Sequence, residues 1–188
     1  MIKGIDKIEA ELLKQQETKD SVMDLSRGII RQAGKAITKI HARDLPGAWK
    51  LIAELKAEVK KLKGIEKGFE YNSMQAHQEY VEACALHVMI NESRIPSREE
   101  LNTDGMAYLL GLLDSVGELK RYSTDCLRKE DREKAEKCYD MMLEIYDSTV
   151  PMRFANSLVP DFRKKQDVAR TQIERLSGEL LFFRSQKK

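Results

Sequence analysis

Proline and glycine are scarce in this chain, with 4 and 10 among 188 residues, and aromatic residues supply only 6 %. So few turn formers and so few β-favouring side chains exclude a fold built from tight hairpins. Cysteine is nearly absent as well. Cys84, Cys126 and Cys138 are odd in number, form no Cys-x-x-Cys and each lies in a helical pattern. They read as reduced, small apolar residues of a cytoplasmic protein rather than as a disulfide framework. No uncharged run approaches the roughly 18 residues that a membrane helix needs, and the first residues lack the apolar stretch of a signal peptide. A soluble protein without a membrane partner is expected. Charge of one sign is lacking too: Lys+Arg 33 against Asp+Glu 31 leaves +2. Net charge therefore decides nothing about nucleic acid; only clustering can.

What remains is the composition of helices. Apolar residues recur at helical spacing almost throughout, with no strand alternation and no repeat. Residues 3–44 form a long first pattern, and Asp44 and Pro46 close it and open a second over 46–63, with Trp49 on its apolar face. A third helix is expected over 69–92, then a capping box at Ser97–Glu100. A fourth helix covers about 104–129. A fifth opens at Asp131 and breaks at Val150-Pro151, and a last one runs from Pro160 to about 185. The expected fold is all-α, a bundle of six or seven helices forming one domain over residues 1–188. The long first helix and the apolar end Leu180–Phe183 suggest self-association.

Two of these helices are short of charge. From Gly105 to Leu119 only Asp114 and Glu118 are charged, and from Asn72 to Asn91 only Glu79 and Glu82. A chain with 34 % charged residues would place about five and about seven charges there. Each acidic pair shares a helix face by its spacing of four or three, where like charges repel. Something positive should meet them. One candidate is ordinary pairing, for instance Glu118 with Arg121. The other is a metal ion. Four converging carboxylates make an all-oxygen site, which suits Mg²⁺ or Mn²⁺. No histidine follows a glutamate by three residues, as a ferritin-like di-iron site requires, and no His/Cys set has zinc spacing. Carboxylate-held Mg²⁺ meets phosphates, so phosphodiester hydrolysis fits; the missing Gly-rich loop argues against a kinase or ATPase.

A basic row completes the inventory. Arg27, Arg31, Lys35, Lys39 and Arg43 recur every four residues, with no acid between the first and the last. The row is either a solvated face or a track for a nucleic-acid backbone. The shortage of aromatics favours backbone contact over base stacking.

Three segments resemble the translin family, and within it the translin-associated factor X branch. They are Leu25–Ile30 with Lys35 and Ile40–Arg43, then Gln78–Ala83, then Tyr108–Arg121. The resemblance implies about seven helices and an octameric, hollow, barrel-like assembly. For that branch it implies a Mg²⁺-dependent endoribonuclease that works with translin on RNA, single-stranded or in small duplexes. The branch's metal-site acids fall on Glu79, Glu82, Asp114 and Glu118, and Arg121 matches a basic residue beside them. The long insert of the branch is only a short loop here, around residues 93–104, so a homo-octamer is expected, with a translin-like partner left open. Two other readings stay open: an oligomeric shell that binds single-stranded RNA or DNA without cleaving it, and a purely structural role for the acids.

Overall fold

The computed structural model describes residues 4–185 and contains seven helices and no strand among them. They are α1 (Ile5–His41), α2 (Leu45–Ile65), α3 (Glu70–Glu92), the single turn α4 (Arg98–Leu101), α5 (Gly105–Arg128), α6 (Arg132–Thr149) and α7 (Phe162–Ser185). Local chemistry sets most boundaries. Asp44, Asp104 and Asp131 accept hydrogen bonds from Gly47, Ala107 and Lys134 backbone N–H groups, each capping the helix that follows. Such a cap contributes about 1 kcal/mol. Ser97 and Glu100 form the reciprocal capping box of α4. The chain leaves α6 at Thr149, just before the Val150-Pro151 step, and Asp161 then turns left-handed ahead of α7.

The helices pack in a simple order. α1 lies on α2 and α3, α3 lies on α5, and α5 lies on α6 and α7. α3 and α5 are thus the middle of the bundle, between an outer α1–α2 pair and an outer α6–α7 pair. One core runs through all of them, from Ile29, Ile40, Ile52 and Leu62 to Leu86, Leu110, Leu119, Met142 and Leu176. Position explains composition. α3 buries five consecutive residues, Ala83 to His87, and so has no broad solvent face on which Lys or Glu could sit. The charge poverty of α3 and α5 follows from being central. All three cysteines are free and buried.

Several outer residues sit differently from the sequence pattern. Trp49 is not part of the core: it is 51 % exposed, 5.5 Å from the His87 ring, with the Lys56 ammonium 5.1 Å above it. Ala48 takes the buried place beside it. At the end of α7, Leu180 is buried and Phe183 packs partly, while Leu181 and Phe182 stand in solvent. No described residue before Val22 is buried, and Ile5, Ile8, Leu12 and Leu13 are between 52 and 57 % exposed. The first half of α1 thus projects past the core. Among the described residues, no helix is long and apolar enough to cross a membrane.

Candidate metal centre and nucleic-acid face

Gly111 brings the two central helices together. A Cβ at this position would stand 2.7 Å from the Gln78 carbonyl oxygen and equally close to Val81. Only a hydrogen fits, so α5 presses directly onto α3. Gln78 and Val81 immediately precede Glu79 and Glu82, and Gly111 lies three residues before Asp114. The closest approach of the helices therefore falls beside the acidic pairs.

The four carboxylates do meet electrostatically. Burial, then the charges of Asp114, Glu79 and Glu118, push the Glu82 carboxyl up to about 8. Burial and the charge of Asp114 likewise raise Glu79, eased by a hydrogen bond from Gln75. Asp114 is raised by burial despite a lysine beside it. Glu118 alone is lowered, first by its hydrogen bond with His41 and then by the charges of His41 and Arg121. Three of four acids thus hold their protons more firmly than usual, because negative charge is concentrated where water is scarce.

Two basic groups already serve this centre. Lys165, from the first turns of α7, places its Nζ 2.5 Å from both Asp114 oxygens. His41, the last residue of α1, places Nε2 2.5 Å from Glu118 Oε2. Arg121 reaches Glu118 only at 3.6 Å and is largely exposed. Spacing could foretell Arg121, which is three residues from Glu118. It could not foretell Lys165 or His41, which lie 51 and 77 residues from their partners.

The donor set fits a hard divalent cation: four carboxylates, of which Glu79 and Glu82 form no ion pair among the described residues. The ring is not closed as it stands. Among the described residues, no three Asp, Glu, His or Cys side chains are gathered to hold an ion. Asp114 and Glu118 are turned to Lys165 and His41 instead. A cavity of about 250 Å³ opens onto this corner, lined by Asp114, Gly117, Asp161, Lys164 and Lys165 among others. A larger cleft of about 710 Å³ shares Asp161, Lys164 and Val168 with it and continues along α7 past Arg163 and Arg175.

The basic row on α1 is shorter than its sequence spacing suggests. Arg31 and Lys35 are exposed and form no ion pair among the described residues. Arg27 is exposed but pairs with Asp24 at 3.1 Å, and Lys39 pairs with Asp44 at 2.5 Å. Arg43 leaves the row. It lies beyond the end of α1 in a left-handed conformation, where its guanidinium stacks 3.8 Å over Tyr122 and reaches the Cys126 sulfur.

These features define an all-α bundle whose two middle helices carry acidic pairs and whose outer α1 carries a partly exposed basic row. The Translin family model matches residues 16–178, and the chain belongs to the Translin family. It is similar to the crystal structure of apo-NeC3PO, with 31 % identity, TM-score 0.88, and 97 % of this chain and 98 % of that chain covered. It is also similar to AfC3PO in its complex with duplex RNA, with 26 % identity, TM-score 0.88 and 96 % of each chain covered. An uncharacterised protein of Methanocaldococcus jannaschii is 28 % identical over 176 residues, covering 92 % of this chain and 79 % of that protein.

Proposed function

We propose that this protein is a Mg²⁺-dependent endoribonuclease, closest in kind to the translin-associated factor X branch, that works as a cytoplasmic, hollow homo-octamer. Mn²⁺ would substitute for Mg²⁺. The observation that supports the reading is the mutual electrostatic influence of Glu79, Glu82, Asp114 and Glu118 beside the α3–α5 contact, together with the likeness to AfC3PO, whose structure is a complex with duplex RNA.

RNA would enter along exposed Arg31 and Lys35, with Arg27 and Lys39 released from their surface partners by the stronger pull of phosphates. Glu79, Glu82, Asp114 and Glu118 would hold the ion. Once bound there, Mg²⁺ supplies neutralisation of phosphate charge and a water that loses its proton more readily. An uncoordinated oxygen of one of these carboxylates would orient the attacking water and accept its proton. Water oxygen bonds to phosphorus, the bond to the leaving ribose oxygen breaks, and that oxygen takes a proton from solvent. Arg121, exposed beside Glu118, would steady the phosphate.

A second reading has one observation in its favour. Lys165 and His41 already occupy Asp114 and Glu118, so the acids can be balanced by protein alone and the chain would then bind RNA without cutting it. One experiment separates the two. Labelled single-stranded and duplex RNA are incubated with the wild-type protein and with Asp114→Asn, in Mg²⁺ or in chelator. Endonuclease reading: products form only with wild type and Mg²⁺, while Asp114→Asn still binds RNA. Cleavage that survives chelator or Asp114→Asn would overturn it, and binding without products in every arm would establish the second reading.

A further inference from the structure

The acidic centre contains one positive group that has somewhere else to go. The Lys165 ammonium sits 2.5 Å from both oxygens of Asp114, the place from which a cation engages a carboxylate with two oxygens at once. The pair is only partly shielded, with side chains 23 % and 31 % exposed, and both residues line the cavity of about 250 Å³ that opens to solvent. His41 differs on each count. Its side chain is 6 % exposed, closed in at the end of α1. Lysine is also the residue suited to departure: a compact, strongly hydrated charge on a flexible four-carbon stem.

One ammonium leaves the centre undersupplied. Glu79 and Glu82 lie across the α3–α5 contact from Asp114 and Glu118, and among the described residues no ion pair reaches either of them, whereas Lys165 and His41 engage only Asp114 and Glu118. A divalent ion brings a second charge and more ligand positions than an ammonium offers.

We propose that Lys165 is the resident counter-ion of this site, that it competes with the divalent cation for Asp114, and that ion binding sends its ammonium into the adjoining cavity. Lys165 thereby sets the affinity of the site and is a positioning residue. This inference rests on the metal-site reading under Proposed function.

The test needs no RNA and no turnover. Mn²⁺ binding to the full-length protein is measured by calorimetry and by electron paramagnetic resonance, for wild type, Lys165→Met, Lys165→Gln, Lys165→Arg and Asp114→Asn. Far-ultraviolet circular dichroism and melting in chelator check folding. A lysine that blocks the site nine-tenths of the time weakens the apparent affinity about tenfold. Lys165→Met or, if that variant does not fold, Lys165→Gln should therefore bind Mn²⁺ roughly tenfold more tightly than wild type. Lys165→Arg should bind no more tightly than wild type, and Asp114→Asn should lose the site. In chelator the neutral variants should melt below wild type, and Mn²⁺ should raise their melting temperature by more. Equal Mn²⁺ affinity in wild type and both neutral variants would overturn the exchange while leaving the metal site standing. Binding by the neutral variants alone would uphold lysine occupancy and overturn the native site as a Mg²⁺ centre. No binding in any protein would overturn both.

Discussion

The imidazole of His41 and the carboxylate of Glu118 lie 2.5 Å apart and join the last turn of α1 to the middle of α5. The contact is nearly closed to solvent on the histidine side. It holds Glu118 below the ordinary carboxylate range, in a centre where the other three acids are raised. The sign follows directly. A lowered carboxylate contributes stability above its unfolded value of 4.5, and the contribution fades as pH falls through the folded value. His41→Ala should cost about 2 kcal/mol at neutral pH, the usual worth of a hydrogen bond to a charged group. Urea unfolding should show that loss shrinking once the pH falls well below 4.5.

Glu82 behaves in the opposite way. Its carboxyl is pushed up to about 8 from 4.5, so the folded state binds the proton more tightly than the unfolded one. Stability is then full below 4.5 and declines as pH rises towards 8. Glu82→Gln, neutral at every pH, should remove this decline. Its melting temperature should match wild type near pH 4, stand progressively further above it as pH rises, and exceed it most at about pH 8 and beyond, in chelator. Mg²⁺ should narrow the gap at high pH by stabilising the ionised carboxylate of the wild type.

Gly111 predicts a cost that Gly117 does not share. Alanine at Gly111 drives a methyl group against the Gln78 carbonyl and Val81, and backbone cannot yield as a side-chain tip can. Gly111→Ala should destabilise by about 1–3 kcal/mol. It should also weaken Mn²⁺ binding by moving α5 off α3. At Gly117 nothing lies within 4 Å of the added carbon. Gly117→Ala should stabilise by about 0.5–1 kcal/mol through helix propensity. Paired urea melts of the two variants check both signs.

The basic row should divide into two kinds of residue. Arg31→Ala and Lys35→Ala should each weaken RNA binding and lower the slope of log affinity against log salt by about 1. Arg43→Ala should leave the slope nearly unchanged and lower the melting temperature instead, because its guanidinium is committed to Tyr122 and Cys126. Fluorescence anisotropy with labelled RNA over a salt series, beside thermal melts, separates the two.

Much of this protein is decided by local chemistry, and that part was legible in order. Helix-forming composition, Asp44, Ser97 and Asp131 as caps, and the break at Val150-Pro151 lead to seven helices at nearly the expected places. The thin charge on residues 72–91 and 105–119 marks the two helices that occupy the middle of the bundle, since a helix covered on most sides cannot carry a solvated face. The acids stand out against that background for the same reason.

Tertiary structure decided the rest. Trp49 has the spacing of a core residue, yet which neighbour covers it depends on how α2 tilts against α1 and α3, and it lies outside. Arg43 continues the period of the basic row, but the helix stops at His41 and the period stops with it. Above all, sequence periodicity places Glu79 with Glu82 and Asp114 with Glu118, because each pair shares one helix. It says nothing about which cations from distant helices arrive between them. Lys165 and His41 come from α7 and α1, and only the packing of those helices around the α3–α5 contact brings them to the carboxylates. A helix dictates its own faces, and close packing of several helices dictates which faces share an ion.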